Sequence, residues 1–406
     1  MSVNETHTAN LARYPHLQAL LDRVVRDGEQ AGITAAVKIP NAAPSWLAAG
    51  KIALDTELPF GPETICRIAS MTKPVTGLAA LQLIEKGALG LDQPIAELLP
   101  DFKHMRVATG NGSETRPASR PITVRHLLTL TAGIPHVWQE GPAAELYRRN
   151  GLDCLGNFRL TPPHEGELPP PRTLEEFGTR IASLPLAADP GTQWDYGLAL
   201  DVLGLVIQRA SGQRFEDFLR THLFEPLGMV DTAFYVPAEK LPRLATNYVR
   251  KNGALAVQDD RKASLFTTPP GVPSGGGGLV STARDFARFC QMLLNEGELD
   301  GVRIAQPETL RLQRTNLIPD GIEHPEFVLD RADWGGGICI ETPQSVRPGG
   351  LNVGAYGWTG GVGGTTFWVD PKARTWVVVM VQRQITGPED TLIDEVRAAA
   401  RKDLEP

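Results

Sequence analysis

The 406-residue chain is 42% hydrophobic and 21% charged, which suits a globular protein with a large core and excludes a disordered or fibrous one. Its formal charge of −7, with no Lys/Arg cluster, argues against a nucleic-acid partner. The longest apolar runs, such as that around 376–381, fall far short of the ~20 residues of a membrane span, and residues 1–10 lack the basic start and apolar stretch of a secretory signal, so the cytoplasm is the expected compartment.

In chain order, an amphipathic stretch at 11–26 precedes two short apolar runs, 32–39 and 45–49, that read as a strand hairpin over a helix. Helical patterns follow at 124–130, 198–210 and 215–223, joined by long connections. Between 161 and 190, seven prolines in thirty residues, including Pro169-Pro170-Pro171, exclude regular structure over much of the stretch. The end of the chain mirrors its start: 365–369 and 375–381 are β-rich runs about the turn Asp370-Pro371-Lys372, and 392–404 has helical spacing. The economical arrangement is an α/β (α+β) unit assembled from both chain ends, 1–95 and 275–406. A mostly helical domain, 96–274, is inserted between them, with the active site at the junction. The four cysteines, Cys66, Cys154, Cys290 and Cys339, have no paired spacing and are expected to be reduced structural thiols.

None of the eight histidines has an H-x-H or H-E-x-x-H spacing, so neither a metal nor another cofactor is expected. No serine has the flanking glycines of G-x-S-x-G, which disfavours an ordinary α/β-hydrolase. One serine stands apart. In Ser70-Met71-Thr72-Lys73 a lysine follows three residues after a serine, a pairing found nowhere else in the chain, against roughly 0.3 occurrences expected by chance. Ser70 opens an apolar-periodic run (Val75, Leu78, Leu81, Ile84) that ends at Gly87 and predicts a helix over 70–86, with Ser70 and Lys73 on one face of its first turn. Pro74 is tolerated there because first-turn N–H groups have no intrahelical partner. A serine hydroxyl needs a base to take its proton, and the positive end of a helix disfavours a neighbouring cation while offering N–H groups to an oxyanion. The motif alone fits equally well a helix-capping Ser70 and a solvated Lys73.

Five ordered segments carry a resemblance. Ser70-Met71-Thr72-Lys73-Pro74 is similar to the S-x-x-K-P/A of serine β-lactamases and penicillin-binding proteins. Ile122-Thr123-Val124-Arg125-His126-Leu127-Leu128-Thr129 with Thr131-Ala132-Gly133 resembles that superfamily's helix and T-S-G turn. Pro190-Gly191-Thr192-Gln193-Trp194-Asp195-Tyr196, with Asp201-Val202-Leu203-Gly204 behind it, resembles the segment bearing the catalytic tyrosine. Residues 275–279 with Ser281-Thr282-Ala283-Arg284-Asp285 resemble the glycine-rich return to the sheet, and Trp358-Thr359-Gly360-Gly361 sits where K-T-G lies. The likeness spans about 15–400 and implies a serine β-lactamase/DD-peptidase-like fold: an antiparallel sheet flanked by helices plus the inserted helical domain. Within the superfamily the chain most resembles family VIII carboxylesterases, because Leu198 replaces an amide-holding Asn and Trp358 replaces a carboxylate-binding Lys.

The resemblance implies that Ser70 is the nucleophile, that Lys73 and Tyr196 form its proton-transfer pair with the base unassigned between them, and that the backbone N–H groups of Ser70 and Gly361 form the oxyanion hole. Glycine at 361 is expected to permit close backbone approach. Trp358, Thr359, Gly360 and Leu198 are expected to contact substrate. The leading expectation is a serine carboxylesterase acting on small neutral, short-acyl or aromatic esters, with the segment 161–190 covering the site and limiting acyl size. Alternatives on the same fold are a β-lactamase, a D-stereospecific peptidase, an amide-oligomer hydrolase and an acyltransferase. A non-catalytic binding protein is disfavoured by the intact Ser70, Lys73 and Tyr196. The expected partner is a small-molecule ester, with neither nucleic acid nor membrane, and a homo-oligomer is left open.

Overall fold

The computed structural model describes residues 12–110, 114–153, 165–322, 331–346, 350–385 and 390–404. Its main sheet has seven strands: β1 (Gly32–Lys38), β2 (Ser45–Gly50), β3 (Asp333–Trp334), β4 (Cys339–Ile340), β5 (Tyr356–Gly360), β6 (Thr365–Asp370) and β7 (Thr375–Val381), in the order β3-β4-β5-β6-β7-β1-β2, antiparallel throughout. Strands from the two ends of the chain pair within it, Ala35 of β1 lying opposite Val379 of β7. Both of these strands are almost continuously apolar because both faces of the sheet are covered.

One face carries the two terminal helices, α1 (Pro15–Arg26) and, last in the chain, α7 (Leu392–Leu404). Leu17, Leu21 and Val24 pack there with Val377, Val379 and Val396. Asp403 accepts hydrogen bonds from the backbone N–H groups of His16 (3.1 Å) and Leu17 (2.8 Å), so α7 caps the start of α1. The opposite face receives the amphipathic helix 283–294 through Phe286, Phe289, Cys290 and Leu293, spaced i, i+3, i+4, i+7.

The helical side of the molecule holds α2 (Thr72–Glu85), α3 (Val124–Leu128), α4 (Leu174–Ala182) and α5 (Ala199–Ser211), which share one hydrophobic core with the helix Ala283–Leu294, α6. Helix α2 is buried on every side from Thr72 to Leu83 rather than along one stripe, as befits the central helix of a domain. It starts two residues later than its periodicity predicts. Residues Ala69–Met71 instead form a 3-10 turn, so Ser70 is neither cap nor first residue of the α-helix. Arg67, just before this turn, is fully buried and donates to the Asp259 carboxylate (2.6 Å), the Ala245 carbonyl (2.6 Å) and Ser264 Oγ (2.9 Å), which fastens the turn's entry to the segment 245–264.

Two expectations need correction. The segment 161–190, of which 161–164 lie outside the described residues, contains α4, a packed helix. The proline-free stretch after Pro171 starts on an N-cap, where Thr173 Oγ1 accepts from Glu176 N–H (3.1 Å), has Glu175 and Glu176 in its first turn, and buries Leu174, Phe177 and Ile181. A density of prolines therefore disfavoured helix only where the prolines stand. The middle of the chain also holds two strand pairs, Arg106–Thr109 with Glu114–Pro117 and Asn247–Lys251 with Ala254–Asp259; these short, largely exposed or half-buried strands, one of them with a continuous apolar run (Ala254-Leu255-Ala256-Val257), carry no apolar–polar alternation. Cys66, Cys290 and Cys339 are free thiols pushed up by burial, Cys339 to about 12; Cys154 lies outside the described residues.

Candidate active site

Four segments converge on Ser70, each brought close by a glycine or a backbone hydrogen bond. Gly360, at the end of β5, abuts the Ile68 carbonyl so tightly that any Cβ there would overlap it, and Thr365 Oγ1 donates to the same oxygen (3.3 Å). From the helical side, the stretch 191–195 is zipped onto 130–131 by Gly191 N–H to Thr131 O (2.7 Å) and Asp195 N–H to Leu130 O (2.9 Å). Gly197 then lies flush on the Ile134 carbonyl, with no room for a Cβ. The fourth segment, 274–278, packs on the start of α5 and on α2: Thr76 Oγ1 donates to Gly275 O (2.8 Å) and Thr72 Oγ1 accepts from Leu279 N–H (3.2 Å).

These contacts gather three side chains. Tyr196 donates its hydroxyl to Ser70 Oγ at 2.7 Å, and Lys73 Nζ donates to the same oxygen at 3.1 Å. Lys73 is 3% exposed, donates a second hydrogen bond to the Gly276 carbonyl (2.7 Å) and stands 4.4 Å from the centre of the Tyr196 ring. Ser70 itself is half-buried. The residue before it, Ala69, has φ 43°, a left-handed conformation that costs a non-glycine residue about 1–3 kcal/mol and that the surrounding packing must enforce. A hydroxyl held between an ammonium-bearing and a phenol-bearing side chain is equipped for nucleophilic attack with proton transfer.

The expected substrate contacts fall out differently. Leu198 is 1% exposed and packs in the core beside the start of α5. Trp358 is 8% exposed; its ring lies 6.1 Å from Tyr196 at 36° and meets the edge of Trp334 at 4.6 Å, so it backs the tyrosine rather than forming an open wall. Thr359 is half-buried and Gly360 buried. Close approach of backbone occurs at Gly360; at Gly361 a Cβ would meet open space. Arg383 is buried and paired with Asp390, which leaves it unavailable to a substrate carboxylate, and Arg347 lies outside the described residues.

Sequence reasoning assigned no role to three neighbours. Trp138, 52% exposed, lies 6.1 Å from Tyr196 and continues the aromatic row outward. His136, buried and 5.0 Å from Trp138, has no hydrogen-bond partner at Nδ1 among the described residues and is pushed down to about 3 by burial and then by the positive charge of Lys73. Asp201, five residues after Tyr196, is buried under the 274–276 segment. Trp138 and His136 follow the Thr131-Ala132-Gly133 turn by a few residues, and that proximity to a recognised motif was the available signal. Among the described residues no group of His, Cys, Asp and Glu is placed to hold a metal ion, and no helix is long and apolar enough to cross a membrane.

A chain whose sheet, buried central helix and serine–lysine–tyrosine cluster are arranged in this way has the serine β-lactamase architecture, and comparison with known proteins agrees. The beta-lactamase family model matches residues 20–402, and the chain belongs to that family of serine hydrolases and acyltransferases. Among its relatives, Protein Rv1367c of Mycobacterium tuberculosis is 34% identical over 342 residues, covering 81% of this chain and 80% of that protein. Esterase EstB of Burkholderia gladioli is 31% identical over 402 residues, 94% of each chain. A solved structure described as EstCE1, a hydrolase with promiscuous acyltransferase activity, superposes with a TM-score of 0.77 at 25% identity, covering 97% of this chain and all of that one.

Proposed function

We propose that this protein is a serine carboxylesterase of the family VIII type, acting on small neutral esters through an acyl-enzyme on Ser70. The observation that carries the reading is Ser70 Oγ at 2.7 Å from the Tyr196 hydroxyl and 3.1 Å from Lys73 Nζ. Ser70 Oγ bonds to the ester carbonyl carbon as its proton passes to the Lys73–Tyr196 pair. The oxyanion forms against the N–H groups of Ser70 and Gly361, each donor of this kind being worth about 2.7–4 kcal/mol. The same proton then leaves with the alcohol as the C–O bond breaks; water, deprotonated by the pair, bonds to the acyl carbon, and the pair returns that proton to Ser70 Oγ as the Oγ–acyl bond breaks and the acid departs.

Neutral esters are favoured because a β-lactam or peptide C-terminus brings a carboxylate, and a buried unpaired charge costs several kcal/mol. Leu198 and Trp358 offer no cation, and Arg383 is already neutralised by Asp390. Half-exposed Trp138 favours an apolar or aromatic substrate group. A second reading, interception of the acyl-enzyme by an alcohol, is supported by the likeness to EstCE1, whose description includes promiscuous acyltransferase activity.

The test is a comparison of p-nitrophenyl butyrate with nitrocefin. We expect kcat/KM to favour the ester by at least ~10³, or ~4 kcal/mol of differential transition-state binding. Ser70→Ala should abolish hydrolysis while leaving stability within about 1 kcal/mol, since no core cavity is made. Equal efficiency on both substrates, or more than a tenth of wild-type kcat in Ser70→Ala, would sink the reading.

A further inference from the structure

Lys73 is anchored from behind as well as from the front. Its second hydrogen bond goes to the Gly276 carbonyl, and the position of Gly276 is set by Asp201 on the first turn of α5. The Asp201 carboxylate is 2% exposed; Oδ1 accepts from both Ser274 Oγ and the Gly276 N–H (3.1 Å), while Oδ2 lies 2.7 Å from where a Cβ at 276 would stand. Gly276 is thus gripped by one carboxylate and presents its own oxygen to Lys73.

We infer that Asp201 is a positioning residue for the Ser70–Lys73–Tyr196 centre, fixing the carbonyl that receives Lys73 and placing a buried negative charge behind it. This rests on the esterase reading above. Two observations favour a role for the charge over mere structure. Both hydrogen bonds converge on one oxygen, so a neutral asparagine could accept both, yet the chain buries a carboxylate. Burial, the largest influence, leaves the Asp201 carboxyl above its ordinary value, while the Ser274 hydroxyl, the Lys73 charge and the Gly276 N–H act in the opposite sense and favour its ionised form. The ionisable groups facing Lys73 are Tyr196 from the segment before α5, His136 from the loop after α3, and Asp201 from α5 itself. Asp201 alone among them supplies an anion without joining the chemistry. Opposite charge buried beside a cation steadies it while protons move between Tyr196 and Ser70.

Asp201→Asn separates charge from geometry, because the amide oxygen keeps both hydrogen bonds. We expect kcat on p-nitrophenyl butyrate to fall at least tenfold with KM within twofold. The rising limb of the kcat–pH profile should move to lower pH by about half a unit or more, since a cation beside Tyr196 becomes costlier and the pair becomes a weaker base. The variant should remain folded at the assay temperature, because the desolvation relieved by the neutral amide offsets part of the cost of leaving Lys73 without its counter-charge. Ser274→Ala, which loses the hydrogen bonds from Ser274 Oγ to Asp201 and from Gly277 N–H to Ser274 Oγ but keeps the carboxylate, should reduce kcat less and leave the limb in place. Wild-type kcat with an unmoved limb in Asp201→Asn, an equal limb shift in Ser274→Ala, or an Asp201→Asn chain that does not fold would each overturn the inference. Phosphonate labelling keeps this result distinct from the esterase reading: wild-type Ser70 that resists labelling removes that reading, whereas slow labelling confined to Asp201→Asn supports the role of Asp201.

Discussion

The sheet made from the two chain ends and the cluster of turns around Ser70 are built on opposite principles. In the sheet, each strand meets its neighbour through a ladder of regular hydrogen bonds, and large apolar side chains such as Trp376, Val378 and Leu47 fill the space between layers. Around Ser70 the elements meet through missing side chains, with Gly360 on Ile68, Gly197 on Ile134 and Gly276 on Asp201. A sheet held by many small dispersion and burial terms loses stability gradually when one is removed. A site held by a few backbone contacts loses geometry at once, and misplacement of about 1 Å is enough to cost ~10² in rate.

The contrast can be broken directly by placing one substitution in each region. Gly197→Ala forces a Cβ into the Ile134 carbonyl and must shift Tyr196, so we expect kcat to fall by ~10² or more while the protein stays folded. Leu47→Ala, in a fully buried position of β2, should cost about 2–5 kcal/mol of stability and leave kcat unchanged. Steady-state kinetics and urea unfolding on both variants check the pair; equal loss of activity in the two would dissolve the distinction.

A smaller effect sharpens it at the border. His136 is buried neutral, with its proton affinity held to about 3 against an ordinary value near 6.5, so protonation favours the unfolded chain. The stability it contributes is complete above pH 6.5 and is lost as pH falls toward 3. Wild-type protein should therefore lose about 2–3 kcal/mol between pH 8 and pH 4.5 that His136→Gln does not lose. Parallel pH dependences measured by chemical unfolding would show that His136 titrates freely.

The smallest expected change is at Trp138, where exposure makes the site tolerant again. Trp138→Ala should raise KM for aryl esters about five- to tenfold, or about 1 kcal/mol, with no change for acetate esters of small alcohols and no loss of melting temperature. An equal rise for both ester types would place Trp138 in packing rather than recognition.

What the sequence determined by itself was whatever depends on local period and chain order. The run 375–381 and the helix 392–404 fall where their patterns place them, and 32–39 and 45–49 pair as expected within a residue, because alternation, apolar continuity and helical spacing are properties of a few neighbouring residues. The Ser70–Lys73 spacing was likewise legible, as was Tyr196 from its motif, and the structure brings all three within hydrogen-bonding reach. Tertiary structure decided the rest. Leu198 and Trp358 turn inward, Trp138 turns outward, and Asp201 comes to lie behind Lys73 through Gly276, a partner 75 residues away along the chain. Burial and charge neighbours arise from contacts between segments distant in sequence. A residue's type limits what chemistry it can perform, but only its packing decides which face it presents and which charge it feels.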